Sequence, residues 1–356
     1  MKALIFGASY GSLLGTKLLA AGHDATLVCT PGTAELINAE GTVVRLPVRA
    51  REELVELRSG ALRGTLDAQA PDGLEPAGYD LVVLAMQEPQ YSSDGVRELL
   101  ERVARARVPA MAIMNMPPPP YLARLPGVDA AALAHCYAEP ALWDAFEPGR
   151  VTLASPDPQA FRPPGEGKNV LQVSLPTNFK VAPFEDAEPT ERLARLERDV
   201  RAVEHPLPDG TSVALPVHVR LFDSLYVPLA KWAMLVTGNY RCIGAEGPRS
   251  IREAVHDDLE RSREIYAWVC SLCESLGAAP EDMVPFEKYA RAAEGLAKPS
   301  SAARALFGGA PAIERVDALV QGIAAQRGLE HAALDEIVER VDACLGANRR
   351  MAAEAD

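Results

Sequence analysis

Short, wholly apolar segments alternate with amphipathic segments of helical spacing over residues 1–125, and this alternation limits the folds open to the chain. Continuous apolar runs are typical of strands buried on both faces, as in a parallel sheet covered by helices on each side. The pattern therefore predicts an α/β domain with a parallel sheet. The predicted strands are KALIFGA, ATLVC, TVVRLPV as an edge strand, DLVVLAM and AMAIMN, and the predicted helices cover about 11–21, 33–39 and 93–105.

The second half of the chain has a different pattern of apolar residues. Its apolar residues recur at helical spacing beyond about residue 215, which predicts helices over about 221–238, 249–277, 282–296, 311–327 and 331–346. Because 356 residues exceed one ordinary core, we expect two domains. The first spans 1–205 and includes a loop-rich segment at 126–188, with short strand candidates in GRVTLAS and NVLQVSL, followed by a predicted helix at 188–203. The second, all-helical domain spans 206–356.

Composition narrows the class of protein. The formal net charge of −13 argues against a nucleic-acid surface, because phosphate binding needs clustered Lys and Arg. No apolar run is long enough to span a membrane and no secretory leader is evident, so we expect a cytoplasmic protein with reduced cysteines. Cys270 and Cys273 are interpreted as core residues of one helix, and the histidines show no metal-ligand spacing, so no metal is expected.

The N-terminal stretch MKALIFGASYGSLLG predicts a strand, a glycine-bearing turn and a helix. A helix that begins near Tyr10 would direct free N–H groups and its positive dipole end at a pyrophosphate. Gly11 would let the helix pack closely on the strand. The turn is shorter by one residue than the common G-x-G-x-x-G pattern, with Ser9 near the place of its second glycine. The predicted cofactor-binding residues of this turn are Gly7, Ala8, Ser9, Tyr10, Gly11 and Ser12.

The end of the second strand bears on which dinucleotide is bound. Sites that prefer NAD usually place Asp or Glu there to hold the ribose 2′-hydroxyl, whereas this chain has Thr30 and Thr33. Without a carboxylate to repel a 2′-phosphate, the sequence favours NADP over NAD. No arginine stands at this strand end either. A 2′-phosphate could be bound by Arg45, Arg49 or Arg51 only if the next strand folds back toward the end of the second strand.

Two other predicted strand ends carry polar or sulfur-containing side chains. Met86 and Gln87 follow one strand, and Asn115 follows another. Ligands of open parallel sheets bind outside the carboxyl ends of the strands. These three residues are therefore predicted to contact the cofactor.

Three stretches together resemble a known family. They are AMAIMNMPPPP, in which Asn115 ends a strand, VPLAKWAMLVTGNYRCI, in which Asn239 follows Lys231 by eight residues, and KPSSAARALFGGAPAIERVD, in which Ser300 and Ser301 precede Glu314 on a predicted helix. In order and spacing they are similar to the 2-dehydropantoate 2-reductase (ketopantoate reductase) family over nearly the whole chain. The resemblance implies an N-terminal Rossmann-type domain and an all-helical C-terminal domain like that of 6-phosphogluconate dehydrogenase, with the active site between them.

The resemblance also implies a role for each residue. Lys231 would act as the general acid that protonates the carbonyl oxygen, since a lysine in a partly desolvated cleft titrates at lower pH than one in water. Asn239, two helical turns along, would bind the substrate hydroxyl or carbonyl. Glu314 would bind a substrate hydroxyl or orient Lys231, and Ser301 or Ser300 would hold the carboxylate. Asn115 would stand between nicotinamide and substrate.

The chain also departs from the family pattern. Gln87 stands where the family commonly has lysine, Leu235 replaces an asparagine, and Met116 with four prolines replaces a glycine-rich segment. These changes suggest a substrate that is bulkier or less polar than ketopantoate.

Two other functions remain open, an opine-dehydrogenase-like imine reductase that would use His256 and Asp257, and a non-catalytic dinucleotide-binding regulator. The expected ligand is a small molecule, and the helical domain has enough apolar surface to support a homodimer.

Overall fold

The chain divides into two compact units in a computed structural model that describes residues 1–49 and 51–355. The first unit comprises Met1–Met86, Gln90–Tyr121 and Ala141–Asp223, and the second comprises Gln87–Pro89, Leu122–Pro140 and the chain from Ser224 onward. The division after Asp223 lies later than the predicted domain boundary at residue 205. Segment 122–140, assigned from the sequence to the first domain, belongs to the second unit.

The first unit is built on an eight-stranded sheet, as the apolar runs predict. Its strand order is β14-β11-β8-β7-β6-β1-β2-β5, and every neighbouring pair is parallel except β8 and β11. The strands of the unit are β1 Lys2–Phe6, β2 Asp24–Val28, β3 Val43–Leu46, β4 Val55–Arg58, β5 Leu66–Gln69, β6 Leu81–Leu84, β7 Ala110–Ile113, β8 Val151–Ser155, β9 Gln159–Phe161, β10 Val170–Leu175, β11 Phe179–Val181, β12 Glu204–Pro206, β13 Ser212–Ala214 and β14 Val219–Leu221. The parallel α/β class is confirmed.

One predicted strand occupies a different position in the structure from the one predicted. Strand β3 is not an edge strand but an inner strand of a second, four-stranded sheet with the order β4-β3-β10-β9. Its partner β4 alternates buried and exposed residues, the period-two pattern of a half-buried strand. Strand β10 is the strand candidate NVLQVSL of the loop-rich segment. Strands β4 and β9 are not among the predicted strands.

The helices of the first unit follow the predicted ranges, except for the single turn at Pro119–Leu122, which was not predicted. They are α1 Tyr10–Ala20, α2 Pro31–Glu40, α3 Val96–Ala106, the single turn α4 Pro119–Leu122 that ends at the boundary of the unit, and α5 Ala187–Arg201. Helix α3 buries Leu99, Leu100 and Val103 on one side, which is the amphipathic spacing that the sequence shows. Helix α1 is buried along almost its whole length.

The single lysine of α1 is buried together with the rest of the helix. Lys17 is only 1% exposed, and its Nζ donates to the Leu215 carbonyl at 3.0 Å. In the described part of the chain no carboxylate pairs with this amine, and burial lowers its pKa to about 7.

The second unit is mainly helical, with a short β15–β16 ribbon of Ile243–Gly244 and Gly247–Pro248. Its helices are α6 Lys231–Met234, α7 Ile251–His256, α8 Leu259–Ser275, α9 Phe286–Ala293, α10 Ser301–Phe307, α11 Val316–Gln326 and α12 Ala332–Ala355. Cys270 and Cys273 lie on α8 as predicted, with Cys273 buried and Cys270 half-buried. Among residues 1–49 and 51–355, no helix combines the length and hydropathy that a bilayer crossing requires.

Two of the predicted long helices are interrupted. The helix predicted at 249–277 breaks before Asp258, whose side chain accepts the Arg261 N–H at 2.9 Å and caps α8. The helix predicted at 221–238 does not begin until a 3₁₀ turn at Val227–Ala230, which leads into α6. A π-helical segment, Leu235–Asn239, then follows α6 directly.

Candidate functional site

The glycine turn joins the carboxyl ends of three neighbouring strands of the main sheet. The Gly7 N–H donates to the Val28 carbonyl at 2.9 Å, at the end of β2. Gly7 has φ of +94°, and a Cβ there would lie 2.8 Å from Met86 Cγ, after β6. The turn therefore requires glycine at this position for both its backbone angle and its packing.

Helix α1 begins at Tyr10, where the sequence predicts it. The Ser12 hydroxyl donates to the Ala8 carbonyl at 2.8 Å and so closes the first turn. A Cβ on Gly11 would lie 2.8 Å from Ile5 Cγ2, which confirms that Gly11 permits close packing of α1 on β1. The N-terminal end of α1 thus lies at the carboxyl edge of the sheet, the position at which such folds bind phosphate groups.

The arginines that the sequence offered for the end of β2 bind carboxylates elsewhere. Arg45 pairs with Glu56 at 3.0 Å and with Glu166 at 2.6 Å, and Arg51 pairs with Asp209 at 2.6 Å. The hydroxyl of Thr30 donates to that of Thr33 at 2.9 Å. Arg45 and Arg51 are therefore neutralised by carboxylates where they stand.

A different arginine lies at the turn. Arg162, which follows β9, donates from Nη2 to the Ala8 carbonyl at 3.4 Å. Its guanidinium also acts on Cys29, directly after β2: burial raises the pKa of the Cys29 thiol to about 11, and the Arg162 charge opposes that rise. The Arg162 side chain is exposed. The structure thus supplies a solvent-accessible cation beside the glycine turn and the end of β2.

Among the candidates for substrate binding, Lys231 lies before the π segment and Asn239 ends it, so this segment sets the angle between them around the helix axis. An uninterrupted α-helix turns about 100° per residue, which would leave Asn239 roughly 80° around the helix from Lys231. The wider turn of a π-helix advances less per residue, so the π segment returns Asn239 toward the Lys231 side. Both side chains are half-buried.

Tyr289 gives the π segment a physical cause. Its hydroxyl donates to the Met234 carbonyl at 3.1 Å, which inserts a side-chain donor where the segment starts. A Cβ on Gly238 would lie 2.0 Å from that hydroxyl oxygen. Only glycine leaves room for the tyrosine.

Replacing Gly238 with alanine is expected to lower the free energy of unfolding by about 1–3 kcal/mol, because the buried Tyr289 ring must move. Thermal and urea unfolding of the G238A variant would measure this loss. Gly32→Ala is the matched control, since a Cβ at Gly32 meets nothing within 4 Å. Equal stability of both variants would contradict the packing described.

The backbone at Glu314 is hydrogen-bonded to the side chain of Tyr240, the residue that follows Asn239. The Tyr240 hydroxyl donates to the Glu314 carbonyl and accepts the Val316 N–H at 3.0 Å. Glu314 is 8% exposed. It lies in the loop before α11 and not on a helix, which corrects the sequence prediction.

Of the two serines, one has an evident structural task. The Ser300 hydroxyl donates to the Asn239 carbonyl at 2.7 Å and accepts the Ala303 N–H at 3.1 Å, which caps α10. Ser301 is exposed. Ser300 thereby fixes Asn239, and Ser301 has the more accessible hydroxyl.

The remaining candidates are divided between the two units. Met86 and Asn115 belong to the first unit and Gln87 to the second. Asn115 is half-buried after β7, and Gln87 is exposed. The first unit also holds all candidates from Gly7 to Ser12 and Thr30, while the second holds Lys231, Asn239, Ser300, Ser301 and Glu314.

Sequence reasoning missed two charged residues, Arg162 and Glu88. Glu88 follows Gln87 and is only 3% exposed. Burial, with a smaller contribution from the negative charge of Glu314 and against the Ala138 N–H bond, raises the pKa of its carboxyl to about 7. No local pattern distinguishes either residue from a surface charge, because their surroundings come from distant parts of the chain.

Comparison with known proteins agrees with this architecture. No family model matches the chain, and no curated protein matches it in sequence. Among solved structures, the fold is similar to D-mandelate dehydrogenase in its ternary structure with NADH and anilino(oxo)acetate, with 13% identity, 98% of this chain and 100% of the other covered, and a TM-score of 0.64.

Two ketopantoate reductases show the same likeness. A probable 2-dehydropantoate 2-reductase from Bacillus subtilis is 16% identical over 97% of this chain and 100% of its own, with a TM-score of 0.61. The dimeric ketopantoate reductase from Staphylococcus aureus is 13% identical over 98% and 100%, with a TM-score of 0.58. The chain therefore has the fold of these dehydrogenases and reductases over nearly its full length.

Proposed function

We propose that this chain is a dinucleotide-dependent oxidoreductase of the ketopantoate reductase type and a divergent member of that family. It transfers hydride between NADPH and a carbonyl carbon of a 2-oxo acid or a related compound. The observation that carries the proposal is the ordered group of Lys231, Asn239 and Glu314 in the second unit, where the hydroxyl of Tyr240, next to Asn239, holds the backbone on both sides of Arg315.

The chemistry assigns a task to each side chain. The nicotinamide supplies the hydride when bound. Lys231 donates the proton from Nζ to the carbonyl oxygen in reduction and accepts it in the reverse direction. Asn239, on the same side of the helix, hydrogen-bonds the reacting oxygen or a hydroxyl. Glu314 orients Lys231 or accepts a substrate hydroxyl, Ser301 donates to the carboxylate with Ser300 beside it, and Asn115 contacts both nicotinamide and substrate.

The turn from Gly7 to Ser12 fits a pyrophosphate at the start of α1, with Thr30, Met86 and Gln87 as further cofactor contacts. For the adenosine end we propose NADP, since the end of β2 lacks a carboxylate and Arg162 offers a cation there. A charge-assisted hydrogen bond to a phosphate is worth about 1.5–3 kcal/mol.

Replacing Arg162 with alanine is therefore expected to weaken NADPH binding by roughly 10- to 100-fold and to leave NADH binding unchanged. Fluorescence titration of both nucleotides measures the two dissociation constants. The matched control is R195A, which removes an exposed arginine of the same unit. Equal losses for NADPH and NADH would place Arg162 at the pyrophosphate, and no loss for either would remove it from the site.

The imine-reductase alternative receives little support from its proposed residues. The His256 ring nitrogen Nε2 is 2.9 Å from the Ala290 carbonyl oxygen, and Asp257 faces Arg249 with 3.5 Å between charged atoms. The two side chains thus have different partners. The regulator alternative predicts cofactor binding without turnover.

The proposal as a whole is tested by titrating the protein with NADPH and NADH and then adding ketopantoate. NADPH binding followed by its oxidation would support the family reaction. Binding without oxidation would direct the test to bulkier carbonyl compounds, a preference already proposed from Gln87, Leu235 and Met116. Leu235 and Met116 are buried, so this argument rests mainly on Gln87. Failure to bind either nucleotide would overturn the proposal.

The homodimer also stays a proposal. The neighbour from Staphylococcus aureus is described as dimeric. Sedimentation velocity at micromolar concentration would determine the oligomeric state of this chain.

A further inference from the structure

The second unit contains a cavity of about 490 Å³, within the usual size range of small-molecule sites. Its lining comes from three parts of that unit: residues 88–89, the segment 135–138, and the chain from residue 311 to α12. The charged side chains among the lining residues are Glu88, Arg315, Asp342 and Arg349, and His135, Cys136, Tyr137 and Gln321 are its other polar groups.

One of the two cavity arginines is already neutralised. Arg315 donates to Asp317 from Nε and from Nη2, each at 3.0 Å, and from Nη1 to Asp342 at 2.6 Å. Two carboxylates therefore satisfy this guanidinium. Its charge does not contribute a free cation to the cavity.

Glu88 is the buried charge of the lining. Among residues 1–49 and 51–355, the donor to its two carboxylate oxygens is the Ala138 N–H, at 3.1 and 3.2 Å. An ionised carboxylate has about four acceptor positions, and burying it without a counter-charge is costly. Glu314 lies close enough for its negative charge to disfavour ionisation of Glu88 further. A cationic donor placed in the cavity would relieve both costs.

Among the lining residues that the structure describes, Arg349 is the arginine with no carboxylate partner in residues 1–49 and 51–355. Its Nε donates to the Pro311 carbonyl at 3.0 Å, which fixes the guanidinium at the cavity, while the side chain as a whole is exposed. A buried carboxylate and a solvent-facing guanidinium in one cavity present opposite charges to the same small molecule. Because its guanidinium is solvated, Arg349 contributes less than Glu88.

We propose that this cavity binds a free amino acid, with the ammonium group on Glu88 and the carboxylate on Arg349. The inference stands on the cavity and its charges and does not depend on the proposed redox reaction. An acid without an amino group would place negative charge near Glu88, and a simple amine would leave Arg349 unused. A zwitterionic amino acid carries a positive charge for Glu88 and a negative charge for Arg349.

The test uses isothermal titration of the full chain with glycine, 4-aminobutyrate and 6-aminohexanoate, which space the two charges at increasing distances. Butyrate and butylamine are the analogues that lack one charge. At least one amino acid of the series is expected to bind more tightly than either analogue. Glu88→Gln should weaken that binding at least tenfold, and Arg349→Gln about three- to fivefold.

The Glu88→Gln variant keeps an acceptor for the Ala138 N–H, so its fold is expected to persist. Thermal unfolding and NADPH affinity check this, and NADPH affinity reports separately on the proposed function. Glu281→Gln, which removes an exposed charge outside the cavity lining, is the control. The proposal would be overturned if no amino acid of the series binds, if butyrate binds equally well, or if Glu88→Gln and Glu281→Gln bind alike.

Discussion

Replacement of Lys231 by alanine is expected to lower kcat by 10²- to 10⁴-fold with any carbonyl substrate that the wild-type chain reduces. This is the usual contribution of a positioned general acid. The dissociation constant for NADPH should stay within about twofold, because Lys231 is proposed to act on the substrate oxygen, while the turn, Thr30 and Arg162 are proposed to hold the nucleotide. Steady-state oxidation of NADPH and fluorescence titration measure the two quantities.

The matched control is Lys288→Ala, which removes an exposed lysine from the same helical unit. It should leave both kcat and NADPH affinity unchanged. Turnover of K231A within threefold of the wild type would contradict the role assigned to Lys231. A wild-type chain that binds NADPH but reduces none of the carbonyl compounds tried would favour the regulator function instead.

Replacement of Lys17 by methionine is expected to stabilise the protein at pH 7. Burial lowers the pKa of Lys17 from 10.5 to about 7. At 1.36 kcal/mol for each pKa unit, this shift means that burying the charge costs on the order of 5 kcal/mol. Methionine removes that cost but leaves the Leu215 carbonyl without its donor, a loss of about 1–3 kcal/mol. The net gain should be about 2–4 kcal/mol in urea unfolding.

The gain must depend on pH in a defined direction. Between pH 7 and 10.5 the unfolded chain holds a proton on Lys17 that the folded chain has lost, so wild-type stability rises with pH in this window. Below pH 7 both states are protonated and the penalty is constant. The advantage of K17M should therefore shrink as the pH rises from 7 to 10 and reverse near the upper end, where only the orphaned carbonyl remains.

Lys168→Met serves as the control for this series, since Lys168 is exposed and belongs to the same unit. Its free energy of unfolding should differ little from that of the wild type at either pH. A K17M variant that is destabilised equally at pH 7 and pH 10 would show that Lys17 is not a buried, charge-penalised amine.

Local patterns predicted much of the fold. The apolar runs located β1, β2, β6 and β7, and the start of α1 at Tyr10 follows from the glycine turn. These features depend on residues within a few positions of each other, so periodicity and turn chemistry are sufficient. Strand β4 was overlooked although its alternation was visible. The helix predicted at 221–238 begins only at Val227, and the Tyr289 hydroxyl bonds to its backbone where α-helical turns give way to π-helical ones.

The site shows a sharper contrast. The sequence by itself determined the residue types of the glycine turn, the absence of an acid after β2, and the order of Lys231, Asn239 and Glu314 along the chain. The tertiary structure decided how they are arranged. Tyr289 widens the helix so that Asn239 turns toward Lys231, and Arg162 reaches the Ala8 carbonyl from the second sheet.

Glu88 makes the same point for charge. Its sequence neighbourhood resembles any polar loop after a strand, yet it is buried and its carboxyl bonds to the backbone of Ala138. Burial and electrostatic environment are sums over atoms from distant parts of the chain, and a short window of sequence does not contain them. The sequence therefore determined which chemical groups are present, and only the folded structure decided which of them share a cavity.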